Sequence, residues 1–188
     1  FQSDHQSNAL YSALSVLPRR HLPAEFASFL SAYIKNDYRL SVTHLNSYLR
    51  CPFCFLHKTI LRIPLPKDKS ASFGTAIHQT LAFLYHSLSQ NNAPPPLDEI
   101  LARFKNDLAS QRLPPEVFEE TLPLGSQMLS GYYHHYLDRF SSKVIVDHDF
   151  SSENIHLGDI PITGKIDKIE IVNHRSARVV DFKTGNPD

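Results

Sequence analysis

At 188 residues, 41% hydrophobic and 20% charged, the chain can bury a sizeable core and has the composition of a globular domain, with room for a helical extension. Nineteen basic side chains balance nineteen acidic ones, which excludes a binder that works through net positive charge; a carboxylate-rich site offset by basic surface elsewhere remains open. No apolar run reaches membrane-spanning length, no secretory leader pattern is visible and two cysteines make no disulfide framework, so the expectation is an intracellular, cytoplasmic protein with no membrane partner.

Residues 1–20 show little periodicity and read as a lead-in. PAEFASFLSAYIKN (23–36) predicts a helix, with Pro23 in its first turn and a stripe of Phe26, Phe29, Leu30, Tyr33 and Ile34. Ser41 is placed to cap a short helix, VTHLNSYLR, and Pro52 opens another short helical piece that ends in the extended ILRIPLP. Ser72 is expected to cap a longer helix with Ile77, Leu81, Leu84 and Leu88 on its apolar face. After the NNAPPP loop, Leu97, Ile100, Leu101, Phe104 and Leu108 mark the next helix. A segment starting at Pro114–Pro115 is expected to break at Pro123 and Gly125, then continue as a helix through Leu124, Met128, Tyr132, Tyr136 and Phe140. Beyond Ser142 the runs VIVDHDF, NIHL, IPITGKIDKIEIV and ARVVDF are short, β-branched and separated by turn residues, which predicts an antiparallel meander. Helices first and strands after give an α+β layout within the α/β class. Phe1 is not an initiator residue and Asp188 follows the last strand abruptly, so a piece of a longer protein is expected.

The strands carry acids. If 162–172 and 178–183 form a hairpin with Val172 opposite Arg178, Asp167 falls opposite Lys183 and Ile169 opposite Asp181. Alternation then gathers Asp167, Asp181 and Lys183 on one face and Ile162, Ile166, Val180 and Phe182 on the other, a credible core. Two carboxylates this close repel unless a positive charge lies between them, and a hard divalent cation such as Mg²⁺ or Mn²⁺ prefers such oxygen ligands. A lysine two residues after a ligand points to the same side, where it can orient water or stabilise charge developing on a phosphodiester. The bland alternative is an Asp167–Lys183 salt bridge on a solvated face. Ile169, Ile171 and Val179 on that face count against it, because they imply partial cover. A basic cluster, Arg50, Lys58, Arg62, Lys67 and Lys69 against Asp68 alone, is suited to phosphates and equally to a solvated surface.

Four stretches in order resemble the PD-(D/E)xK nuclease superfamily in its RecB/AddB-like branch. SVTHLNSYLRCPFCF resembles the opening S-x-x-x-L-x-x-Y-x-x-C-P-x-x-F element, with Leu45, Tyr48, Cys51, Pro52 and Phe55. FGTAIH resembles the helix start that supplies the histidine, here His78; GKIDKI resembles the strand that supplies Asp167; VVDFKTG resembles the D-x-K-T-G strand with Asp181 and Lys183. The resemblance implies a restriction-endonuclease-like mixed sheet whose C-terminal end is missing, with residues 37–188 as the nuclease domain and 1–36 as a linker. It implies metal ligation by His78, Asp167, Asp181 and the Phe182 carbonyl, with Lys183 catalytic beside Asp181 and Asp167. DNA is the implied substrate and Arg50, Lys58 and Arg62 its candidate contacts. A helicase domain of the UvrD/Rep type, in the same longer chain or complex, is the implied partner in repair and recombination. A non-catalytic DNA-binding or scaffolding module on the same fold is the competing reading.

Cys51 matches the first cysteine of the family members that hold a 4Fe–4S cluster, but Cys54 is the only other cysteine, so no cluster closes within this chain. Zinc on Cys51, Cys54 and His57 with His44 nearby, or simply packed thiols, are the other readings. His86, His134 and His135 carry no motif and receive no role. Asp147 lies near the place of a family glutamate but does not align with it.

Overall fold

The computed structural model describes residues 23–64 and 68–185. The expected lead-in over 1–20 and Lys67 of the basic cluster lie outside them. The chain divides into two compact units, Phe1–Arg39 and Leu40–Asp188. In the first, helix α1 (Ala24–Asn36) begins after Pro23, with Glu25 in its first turn and Lys35 in its last, each matched to the helix dipole. Phe26, Phe29 and Tyr33 stack along it with successive centroids 6.3 Å apart, and none of its residues is buried.

The second unit opens with α2 (Val42–Arg50), capped as expected by Ser41, whose hydroxyl accepts from the His44 N–H at 3.1 Å. Cys51 caps α3 (Pro52–Phe55) in the same way, with Pro52 in the first turn, and a π-helical turn follows over Leu56–Ile60. Helix α4 (Lys69–Asn91) starts a turn earlier than expected. Asp68, not Ser72, caps it, accepting from the Ala71 N–H at 2.6 Å, and Ser72 is buried inside the helix. An aspartate brings both the acceptor and the negative charge that a helix N-terminus favours. Helix α5 (Leu97–Ser110) follows, fastened to α4 by buried Asp107, which accepts from Thr80 Oγ1 at 3.1 Å and from Arg103 Nε at 2.8 Å.

The expected break at Pro123 and Gly125 does not occur: α6 runs unbroken over Pro115–Tyr136. Pro123 removes one internal donor. Gly125 serves close packing rather than a turn, since a Cβ there would lie 3.0 Å from the Phe73 ring and overlap that of Phe104. The inward line of α6 is therefore Thr121, Gly125 and Leu129, and Leu124, Met128 and Tyr136 are exposed.

Strands β1 (Val144–Asp149), β4 (Lys165–Asn173) and β5 (Ser176–Val180) form an antiparallel sheet in the order β1-β4-β5. Between them β2 (His156–Leu157) and β3 (Ile160–Pro161) make a separate small ladder, and Leu40 bridges to Ile162 in parallel. The register of β4 with β5 differs from the expected one by two positions: Glu170, not Val172, faces Arg178. The Asn173 side chain accepts from the Arg175 N–H at 2.9 Å, which closes a shorter turn, and a bulge between Ile171 and Asn173 absorbs the difference. A shift of two keeps every side chain on its face.

One face of the sheet packs against α4 through Val146 and Phe182, which join Ile77, Leu81, Leu84, Ile100, Phe104 and Leu108 in a single core. Val180 packs on that core as expected, while Ile162 and Ile166 are only half-buried. The partial cover expected over the other face reaches Asp167 and Ile169, which are not exposed, whereas Ile145, Ile171 and Val179 are exposed there.

Candidate active site

The site begins where α4 passes the end of the sheet. His78 lies on the third turn of α4 and Asp167 on the third residue of β4. His78 Nδ1 is 3.2 Å from Asp167 Oδ1 across 89 positions of sequence. The other oxygen, Asp167 Oδ2, accepts from the backbone N–H of Phe182 at 2.7 Å. One largely buried carboxylate thus joins the histidine helix to the D-x-K segment. With Nδ1–H donating to Asp167, the His78 Nε2 is left with its lone pair, one of the two tautomers through which histidine binds metals.

Phe182 is held from every side. Tyr85 stacks on it at 6.2 Å and 15°, Tyr132 meets it edge-on at 6.4 Å, and the His78 ring stands edge-on at 6.0 Å. Below it lies Lys168, only 4% exposed, on the core face of β4. Its ammonium donates to Tyr85 Oη at 2.9 Å and to Glu170 Oε1 at 2.8 Å, and sits 4.1 Å from the centre of the Tyr85 ring. Tyr85 and Tyr132 share a hydrogen bond of 2.6 Å between their hydroxyls. Burial, above all, raises the Tyr85 phenol beyond its ordinary range and pushes that of Tyr132 up to about 12.

Asp181 and Lys183 flank the buried Phe182 and are exposed. Lys183 Nζ pairs with Asp181 Oδ2 at 2.7 Å, and their side chains are 78% and 62% exposed. The hydrogen bond and charge of Asp181, with a smaller contribution from Asp167, raise the Lys183 ammonium above its ordinary value, so it carries its charge at neutral pH.

The expected convergence is half present. His78 and Asp167 line a cavity of about 500 Å³ together with Asp147, Lys165 and Thr184. Asp181 and Lys183 line a neighbouring cavity, and Thr184 belongs to both. Among the described residues no group of three or more His, Cys, Asp or Glu side chains is arranged to hold a metal ion. The donor types nevertheless fit a hard divalent cation: an imidazole lone pair, the Asp167 carboxylate at the other nitrogen of that ring, and an exposed Asp181 carboxylate on the adjoining segment. Continuing the β4–β5 register one pair past Lys168–Val180 brings Asp181 level with Asp167, where the sequence reading had set Lys183.

A family model of the PD-(D/E)XK nuclease superfamily matches residues 39–188. The chain belongs to that superfamily. Its members are generally metal-dependent nucleases, hydrolases of nucleic acid, and the mixed helical and antiparallel architecture here is consistent with their restriction-endonuclease-like fold. No curated protein and no solved structure matches the chain. Among the described residues no helix is long and apolar enough to cross a membrane.

The remaining candidates lie on the opening helices. Arg50 and Lys58 line one hollow of about 470 Å³ with Thr43, Asn46, Ser47 and Thr59, whereas Arg62 is exposed nearby at φ +51° and does not line it. Cys51 and Cys54 are free thiols. Cys51 Sγ accepts the Cys54 N–H at 3.1 Å as a helix cap and His57 Nδ1 donates to the Phe53 carbonyl at 2.8 Å; among the described residues these groups are not arranged to hold a metal ion.

Sequence reasoning assigned no role to two features of the candidate site. Asp147, at φ +55° inside β1, lines the His78 cavity level with Asp167 and pairs with Lys165 at 3.0 Å. Its place in the first strand was the available signal. Lys168 with Glu170 occupies a strand face expected to be apolar; the only signal was that Asp167 and Lys168 are adjacent in KIDKIEI, so both faces of the strand carry charge.

Proposed function

We propose that residues 37–188 form a metal-dependent deoxyribonuclease domain of the RecB/AddB-like branch. In this reading the preceding segment links it to a helicase of the UvrD/Rep type, and the activity serves repair and recombination in the cytoplasm. The observation that carries the reading is the Asp167 carboxylate held between His78 and the Phe182 N–H, because it ties three of the four resemblance motifs into one constellation. His78, Asp167, Asp181 and the Phe182 carbonyl would hold Mg²⁺ or Mn²⁺. Such an ion, when bound, supplies Lewis-acid polarisation of the scissile phosphodiester. Asp167 orients the His78 ring, the aromatic clamp on Phe182 fixes the segment that bears Asp181, and Lys183 offers a full positive charge to a water or a phosphate oxygen. Arg50 and Lys58, with the hydroxyls and amide of their hollow, suit the phosphate backbone away from the reaction.

The test is cleavage of labelled single- and double-stranded DNA in Mg²⁺, Mn²⁺ and EDTA. Cleavage should require the metal and vanish in Asp181→Ala and Lys183→Ala. Unchanged cleavage by Asp181→Ala would sink the assignment. The exposed Asp181–Lys183 pair, turned away from His78 and Asp167, favours a second reading, a DNA-binding module without activity. Metal-independent DNA binding with no cleavage under any of these conditions would establish it.

A further inference from the structure

Beside the acidic cavity lies a second one, of about 390 Å³, whose walls are aromatic and aliphatic and whose floor is charged. Tyr132 and Tyr136 of α6 form one wall, their rings 4.7 Å apart, with exposed Met128 at its end. The floor carries Lys168, Glu170 and Arg178, linked by Lys168 Nζ to Glu170 Oε1 at 2.8 Å and by Arg178 to Glu170 Oε2 at 3.3 Å. Asp181 and Lys183 stand on its rim. A flat apolar ring with donors and acceptors along its edge satisfies both parts of this lining. A phosphate does not, because the aromatic wall offers it nothing and the cations of the lining, Lys168, Arg178 and Lys183, are already paired with Glu170 and Asp181.

We propose that this cavity is a nucleobase subsite, which takes one unstacked base of a single-stranded nucleic acid beside the phosphodiester presented to Lys183. The base stacks on Tyr136, the more exposed of the two tyrosines, and turns its polar edge toward Arg178 and Glu170. A base inside a duplex reaches the cavity only by leaving its stack, so the subsite favours single strands and frayed ends. The proposal rests on the nuclease reading only for the position of the scissile bond; the base-binding site stands without it.

Binding decides it. A single-stranded oligodeoxynucleotide carrying a fluorescent adenine analogue is titrated against the parent protein in EDTA, so that no metal-dependent cleavage intervenes and Lys183 stays on the rim. Stacking on Tyr136 should quench the analogue. Tyr136→Ala should lose the quenching and roughly 5- to 100-fold in affinity, and Tyr136→Phe should retain both. An abasic residue should reproduce the loss at one fixed distance from the cut made by the parent protein. An RNA of the same sequence that quenches alike supports the subsite and widens its substrate. Equal affinity and quenching in Tyr136→Ala, or equal quenching in an intact duplex, overturns the proposal. Quenching without cleavage by the parent chain leaves the subsite standing and removes the nuclease reading; cleavage without quenching does the reverse.

Discussion

The two acidic side chains of the candidate site should respond differently to removal. Asp167 is 15% exposed and accepts from both His78 and the Phe182 N–H, whereas Asp181 is 62% exposed and pairs with Lys183. Asp167→Ala strands the backbone N–H of a buried residue, at a cost of about 1–3 kcal/mol. Its link to the partly exposed His78 is screened and adds less than about 1 kcal/mol. Together the loss is about 2 kcal/mol, or a fall of roughly 4–8 °C in melting temperature for a chain of this size. Asp167→Asn keeps a carbonyl oxygen for the Phe182 N–H and should recover most of that stability while still failing to cleave. Asp181→Ala breaks only an exposed pair and should stay within about 0.5 kcal/mol of the parent. The assay is urea unfolding in EDTA, so that no bound ion contributes, alongside cleavage in Mn²⁺. An Asp167→Ala midpoint equal to the parent's, or an Asp181→Ala loss as large as that of Asp167→Ala, refutes the asymmetry.

Three further outcomes follow from the geometry. Gly125→Ala should lose about 1–3 kcal/mol through overlap with Phe104, while Gly131→Ala, with nothing within 4 Å of its Cβ, should gain up to about 1 kcal/mol; paired denaturation curves read both. Tyr132 is pushed up to about 12 from an ordinary 10.0, chiefly by burial, and Tyr85 is raised as well. Above pH 10.0 the unfolded chain releases phenolic protons that the folded chain keeps, so this stabilisation is complete below that pH and declines as pH rises through about 12. Ultraviolet titration combined with unfolding from neutral to strongly alkaline pH follows it. Arg50→Ala and Lys58→Ala should weaken DNA binding without sequence preference, and each should lower the log–log salt slope by about 0.7–0.9; an unchanged slope removes that hollow from the interface.

How much the sequence revealed depended on which interactions were local. Ser41 and Pro52 act within one helical turn, and both mark their helices where the pattern predicted. The apolar period of α4 and α5 identified Ile77, Leu81, Leu84, Ile100, Phe104 and Leu108, all of them in the core. Pro123 and Gly125 misled because their meaning is tertiary: a glycine that breaks an isolated helix is here the only residue that admits the Phe104 ring. The hairpin register failed by two because the Asn173 side chain closes the turn early, yet the face assignment survived, since parity withstands an even shift. Lys168 was invisible because a buried charge depends on partners far along the chain, Tyr85 above all.

These features meet at Phe182. A side chain between two exposed charges would ordinarily let its segment move freely. Here Tyr85, Tyr132, His78 and Lys168 enclose the ring, and Asp167 takes its N–H. Fixing one buried residue fixes the backbone on either side of it. Asp181 and Lys183 are thereby delivered to one place while their side chains stay free to turn, because an exposed ion pair between them is worth less than about 1 kcal/mol and separates readily when a stronger partner arrives. The rigid half of the site, His78 with Asp167, is built by the same packing that stabilises the core. The adjustable half costs the fold almost nothing to rearrange. Loosening the clamp at Lys168 or Tyr85 should therefore impair the site without touching any residue proposed to contact metal or phosphate.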